Sequence, residues 1–403
     1  MMIIVLLPLQ DCSVCNAYSP VSRFPVMFAL FALSGYYILL IRPGMLVQTW
    51  EHPVLQVTYA FLFLSFLLES THPSSSYRDI FRIGEMIAGA VIVATLCRDK
   101  RAFRAAIYGY IIAGVLLSIF LILTTYGTLR AAAATDFTEA SLLRNELFSD
   151  NPLEANLNGM AFISGQGAVA ALALVLAAGV PYRRYLFLGI SLFCFVATFL
   201  PLSRSGAAIV IASSAAVIFV SKARLGEILL AACLFAAAGM VLIPDAVWTR
   251  MTFSTEVREG KQEARAYVYT NFFEHILDYG MTGVGAGNFV RSWGFANGFG
   301  KKFGVVGTHN SFFQVTIYWG WLGFLALVAV VWQAYRYLPK QRGDPMVSFL
   351  FGIAVSLLLL LQVAHNLYAK EFSLGLGLLV GANRWIWPTG MGALQLRKLV
   401  IRR

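Results

Sequence analysis

The chain has 403 residues, of which 59% are hydrophobic and only 13% charged, and its mean hydropathy is +0.71. A soluble domain is about 45–50% apolar and about 25% charged, so this composition excludes an ordinary soluble enzyme, a disordered chain and a small disulfide scaffold. A net charge of +11 points to nucleic acid in a soluble protein but to basic cytoplasmic loops in a membrane protein.

In chain order, continuous apolar runs fall near residues 24–41, 54–68, 83–97, 105–127, 159–180, 186–200, 207–220, 228–244, 311–332, 345–363 and 373–388. A membrane helix needs about 20 mostly apolar residues, and these runs do not alternate as barrel strands do. Residues 1–9 are a candidate twelfth span; they lack the basic start of a cleaved signal peptide. The expected fold is an all-α polytopic integral membrane protein of 11–12 transmembrane helices with a large outer loop.

Sorting the connections alternately separates the charge. One set holds Arg42, Arg98, Lys100, Arg101, Arg104, Arg183, Arg184, Lys222, Arg224, Arg336, Lys340, Arg342 and the tail residues Arg397, Lys398, Arg402 and Arg403, sixteen basic residues against four acidic. The other set holds fourteen basic against sixteen acidic, and Arg384, near the inner end of the last helix, completes the net +11. The positive-inside rule puts the first set, and the C-terminus, in the cytoplasm. The charge therefore sets orientation, and the expected surroundings are bilayer lipid, with no nucleic acid. Three regions follow: an N-terminal membrane bundle over 1–244 that includes an outer segment at 128–158, a long outer loop over 245–310, and C-terminal helices with a basic tail over 311–403. Chemistry is expected where the loops are long, on the outer face. No internal repeat is evident, which weighs against an inverted-repeat transporter.

Several small signals carry little. Cys97, Cys194 and Cys233 stand within or beside apolar helices and read as packing residues. Cys12 and Cys15 form a C-x-x-C with no second pair, more consistent with an incidental disulfide than a metal site. The stretch Gly283-Val-Gly285-Ala-Gly287 lacks the preceding strand of a dinucleotide fingerprint and reads as a flexible turn that lets backbone pack closely. No zinc-protease motif, P-loop, nucleophile elbow or D-x-D pair is present. A sugar diphosphate bound here must be held by arginines rather than through a divalent ion.

Three outer features can do so. Arg204 lies in Pro201-Leu-Ser-Arg-Ser-Gly206, which joins two apolar runs with almost no loop, and a charge at that depth is a functional candidate. The alternative is a snorkelling anchor. Gln262–Tyr279 reads as an amphipathic helix bearing Arg265, with Tyr269, Phe272, Phe273 and Ile276 available to lipid or protein. His309, in Gly307-Thr-His-Asn310, stands at the mouth of the next apolar run. A lone histidine there is more often structural, yet a neutral imidazole beside a helix N-terminus suits a general base. Guanidinium groups bind pyrophosphate bidentately, so the set can transfer a group from a lipid diphosphate to an alcohol.

At these residues the chain resembles the O-antigen ligase and polysaccharide polymerase family of bacterial inner membranes. The matching pieces are Ser203-Arg204-Ser205-Gly206, Arg265, Met281–Phe289, and His309-Asn310 followed after nine residues by Gly320 and then Gly323. The resemblance covers mainly residues 200–330. The family often has a His-Pro before the glycine turn; here the stretch is Asp278-Tyr-Gly-Met281. The resemblance implies a GT-C-like glycosyltransferase of the bacterial inner membrane with a periplasmic active face, inverting and metal-independent, with no cofactor. It implies an undecaprenyl-pyrophosphate-linked glycan donor, and lipid A-core or a second lipid-linked glycan as acceptor. Arg204 and Arg265 then hold the diphosphate, His309 activates the acceptor hydroxyl, and Asn310 orients His309 or the acceptor. Arg291, Lys301 and Lys302 are weaker candidates along the glycan path. His365-Asn366 lacks the glycine spacing and reads as a structural pair.

A ligase and a polymerase share this pattern, with the spacing favouring the ligase. A flippase for lipid-linked oligosaccharide predicts ionisable residues deep in several helices, and the runs at 54–68, 105–123, 159–180, 207–220 and 345–363 carry none. An assembly protein needs no convergent Arg204, Arg265 and His309.

Overall fold

The computed structural model describes residues 32–36, 38, 40, 49–97, 99–132, 137–147, 157–176, 181–251, 264–289, 292–293, 307–339, 342–363 and 370–386. Residues 1–9, most of the run at 24–41, Cys12, Cys15, Arg291, Lys301, Lys302 and His365-Asn366 lie outside them.

The apolar runs become helices where local chemistry starts them. His52 accepts from the Val54 amide and Pro53 opens α1 (Pro53–Ser70). Proline suits that position because it has no amide hydrogen to leave unsatisfied. After α2 (Arg78–Leu96), Asp99 caps α3 (Lys100–Ala131), which passes through a π-helical turn at Ile122–Tyr126. A short α4 (Phe137–Leu147) precedes α5 (Leu157–Val175) and α6 (Pro181–Phe199). Ser203 caps α7 (Arg204–Val220), and the Glu227 carboxylate accepts from the Arg224 amide at the start of α8 (Leu225–Leu242). Then come the short α9 (Asp245–Met251), α10 (Ala264–Glu274), α11 (Ser311–Arg336), α12 (Pro345–Val363) and α13 (Lys370–Ile386).

Among the described residues every regular element is helical, and each of the ten apolar runs from 54 to 388 has its helix. Among the described residues, seven helices are long and apolar enough to cross a membrane. Of the other three, α7 has 17 residues, and α2 and α13 carry charged residues in their first turns. α5 is buried along most of its length, packed by α3, α6 and α7. α8 is apolar on all sides yet almost wholly exposed, as a helix is only where lipid covers it. Cys233 lies on α8 and is exposed, so the packing role expected for it does not hold, whereas Cys97 and Cys194 are buried.

Helix ends meet one another at several places. Thr49 bonds Thr95 at 3.1 Å, Arg184 meets Glu227 at 3.1 Å, and the Gly343 amide meets the Val220 carbonyl at 3.2 Å. In addition α9 packs on α4, joining the segments either side of the α5–α8 bundle.

Two expected elements differ. The run at 311–332 is not one straight helix: Trp319 (φ −128°) and Gly320 (φ +62°, ψ −158°) break α11. The amphipathic helix stops at Glu274 rather than Tyr279. Beyond it the chain turns so that Tyr279 folds inward, its ring 6.1 Å from that of Phe272.

Candidate functional site

The turn carrying Arg204 is built by four polar side chains. Ser203 donates to Asn158 Oδ1 at 2.8 Å and accepts from the Gly206 amide at 3.1 Å, which starts α7 with Arg204 in its first turn. Gly206 faces Ala161 of α5 so closely that a side chain there has no room. Arg144 of α4 reaches the Pro201 carbonyl at 3.0 Å and Asn158 Oδ1 at 3.2 Å. Arg250 of α9 reaches the Leu202 carbonyl at 2.8 Å and Ser141 at 2.6 Å. Leu202, fully buried, holds φ +51°. Arg144 and Arg250 escaped sequence reading because they sit in separate outer segments without a motif; only the packing of α4 on α9 brings them to one turn.

The second site element is the head of α11. Asn310 Oδ1 accepts from the amides of Phe312 and Phe313, at 2.9 and 3.2 Å, and so caps the helix. Its Nδ2 donates to Tyr269 Oη at 3.2 Å, and Tyr269 donates to the Gln362 carbonyl at 3.2 Å, tying α10, α11 and α12 together. The Thr308 hydroxyl donates to the Asn310 carbonyl at 2.9 Å and lies 3.4 Å from its amide, bracketing His309. His309 is half-buried and holds φ +49°. Leu202 and His309 are the non-glycine residues at positive φ among those described. Such a conformation costs about 1–3 kcal/mol and concentrates at functional sites. The backbone of Arg265 lies in the first turn of α10, one turn ahead of Tyr269.

Below this head, the glycine stretch lets backbone pack closely, as its composition suggests, and hydrogen bonds tie it to the break in α11. The break in α11 leaves carbonyls and amides without helical partners, and the stretch supplies them. Val284 and Gly285 amides donate to the Ile317 and Tyr318 carbonyls at 2.9 Å, while Trp321 and Leu322 amides donate to the Gly280 and Met281 carbonyls at 3.1 Å. Gly283 (φ +74°) and Gly320 (φ +62°) meet backbone to backbone, leaving no room for a Cβ on either. The His-Asn, nine-residue, Gly, two-residue, Gly spacing thus has a mechanical meaning. Asn310 starts a helical segment of about 13 Å at 1.5 Å per residue, Gly320 breaks it, and Gly323 gives room for Trp319 to fold back.

α12 relates the two elements. It packs along α7, whose head carries Arg204, and its Gln362 carbonyl receives the tyrosine that holds Asn310.

Residues 160–328 match the family model described as O-antigen ligase. This stretch is similar to the O-antigen ligase and polymerase family. No curated protein matches the chain. The matched residues run from α5 through the break in α11, so they include the Arg204 turn, α10, the glycine stretch and His309-Asn310. They begin about forty residues before the stretch that carries the resemblance by motif, because α5 offers apolar and small residues with no spacing to notice. The O-antigen ligase match supports glycosyl transfer of the ligase and polymerase type in a multi-pass membrane protein.

Proposed function

We propose that the protein transfers a glycan from an undecaprenyl-pyrophosphate donor to an acceptor sugar hydroxyl on lipid A-core, at the periplasmic face of the inner membrane. The observation that carries this reading is the pairing of the O-antigen ligase match with strain at its two motifs, Leu202 beside Arg204 and His309 itself. Arg204 and Arg265 neutralise the diphosphate, with Arg291, Lys301 and Lys302 along the glycan path. His309 takes the proton of the acceptor hydroxyl as its oxygen attacks the anomeric carbon. The bond to the diphosphate breaks, and the lipid diphosphate leaves with the electron pair. Attack from the face opposite the leaving group inverts the anomeric configuration. Two guanidinium groups do the work that a divalent ion does elsewhere, because a guanidinium presents a planar fork to phosphate oxygens. Asn310 serves by fixing the backbone on which His309 stands.

The test is purified protein in nanodiscs with one labelled lipid-linked repeat, offered lipid A-core or a second lipid-linked repeat. Label on lipid A-core supports the ligase reading. Label in a longer lipid-linked glycan replaces it with polymerisation, and label on neither removes both.

A further inference from the structure

Glu69 lies in the last turn of α1 and is fully buried, and among the described residues its carboxylate accepts from N–H groups. Oε1 accepts from the Ser76 amide at 2.7 Å and the Gly287 amide at 3.4 Å; Oε2 accepts from the Ala286 amide at 2.8 Å and the Trp319 indole at 3.0 Å. A carboxylate offers about four acceptor positions, and here four donors meet it. Three of those donors belong to the two partners that meet at the break: Ala286 and Gly287 end the glycine stretch, and Trp319 is the residue where α11 loses helical geometry. Phe61 of α1 backs the same indole edge-on at 5.9 Å.

The first segment of α11 is therefore not aimed by its own helix, because continuity is lost at Trp319 and Gly320. It is aimed by what grips the break. The glycine stretch holds the backbone on both sides of it, and Glu69 holds the glycine stretch and the indole together. We propose that Glu69 is a positioning residue for the His309 site: it sets the direction in which the segment from Ser311 to Tyr318 leaves the break, and so where His309 stands. This rests on the transfer reading only for its consequence in catalysis; the geometric claim stands apart from it. A misplacement of about 1 Å can cost on the order of 100-fold in rate while binding persists.

The test uses the full chain in nanodiscs. Glu69→Gln keeps the shape but turns an amide NH2 toward N–H donors. Trp319→Phe removes one donor and keeps an aromatic ring. Two quantities are read: kcat and KM for the lipid-linked donor, and the rate of diethylpyrocarbonate modification of His309 relative to His52, which lies at the far end of α1. In Glu69→Gln the expected result is a kcat loss of about tenfold or more with donor KM within about threefold, together with a several-fold change in relative His309 modification. Trp319→Phe moves both in the same direction by less. Unchanged His309 modification in the folded variants overturns the proposal, as does a change in donor KM that accounts for the whole loss. If Glu69→Gln yields no folded protein, Trp319→Phe decides by the same criteria. If the native protein transfers no glycan, the transfer reading fails, and His309 modification still decides the role of Glu69.

Discussion

At the scale of single residues, His309 combines strain with chemistry. An L-residue in the left-handed region costs about 1–2 kcal/mol that glycine does not incur. His309→Gly is therefore expected to melt no lower than the native protein while losing transfer, a dissociation of stability from activity that thermal denaturation and a transfer assay read together. Asn310→Ala removes the cap of α11 and is expected to cost about 1 kcal/mol, measured by denaturation. For Arg204, lysine is expected to restore donor binding only in part, because a point charge lacks the planar fork. The places of Arg204 and His309, each at the head of a helix, were legible because each stands just before an apolar run. The bond of Asn310 to Tyr269 was not, since it depends on where α10 lies.

At the scale of elements, the informative feature is the broken α11. Gly320→Ala puts a Cβ against the Met281 backbone at a positive φ. Strain and overlap together are expected to cost about 2 kcal/mol or more, and a variant as stable as the native protein contradicts the described break. The run at 311–332 gave no sign of the break because its residues are as apolar on one side of Gly320 as on the other. What separates the halves is the glycine stretch, far enough upstream that no periodicity connects the two. The Arg204 turn makes a parallel case. Arg144 and Arg250 hold carbonyls on either side of the strained Leu202 peptide. Replacing either by alanine is expected to raise donor KM more than it lowers kcat, because the change loosens the turn that presents Arg204. The opposite split places them nearer the reacting atoms.

At the scale of the whole molecule, composition did most of the work. Ten apolar runs matched ten helices, because continuous apolar sequence of that length has few stable alternatives in lipid. The convergence of outer segments on the Arg204 turn was not legible, because it is set by α4 packing on α9, and short polar helices carry no strong periodicity. Under the proposed orientation, a C-terminal green fluorescent protein fusion is expected to fluoresce and a C-terminal alkaline phosphatase fusion to be inactive; the reverse pattern inverts the topology and moves the site to the other face.

The central claim is that His309 and the arginine site carry out glycan transfer. The most direct measurement is single-turnover transfer of labelled glycan from undecaprenyl pyrophosphate to lipid A-core by purified native protein and by His309→Ala, with donor binding measured on the same samples. The account predicts transfer by the native protein, unaffected by chelator, and none by the variant at comparable donor binding. Transfer by His309→Ala at the native rate contradicts it.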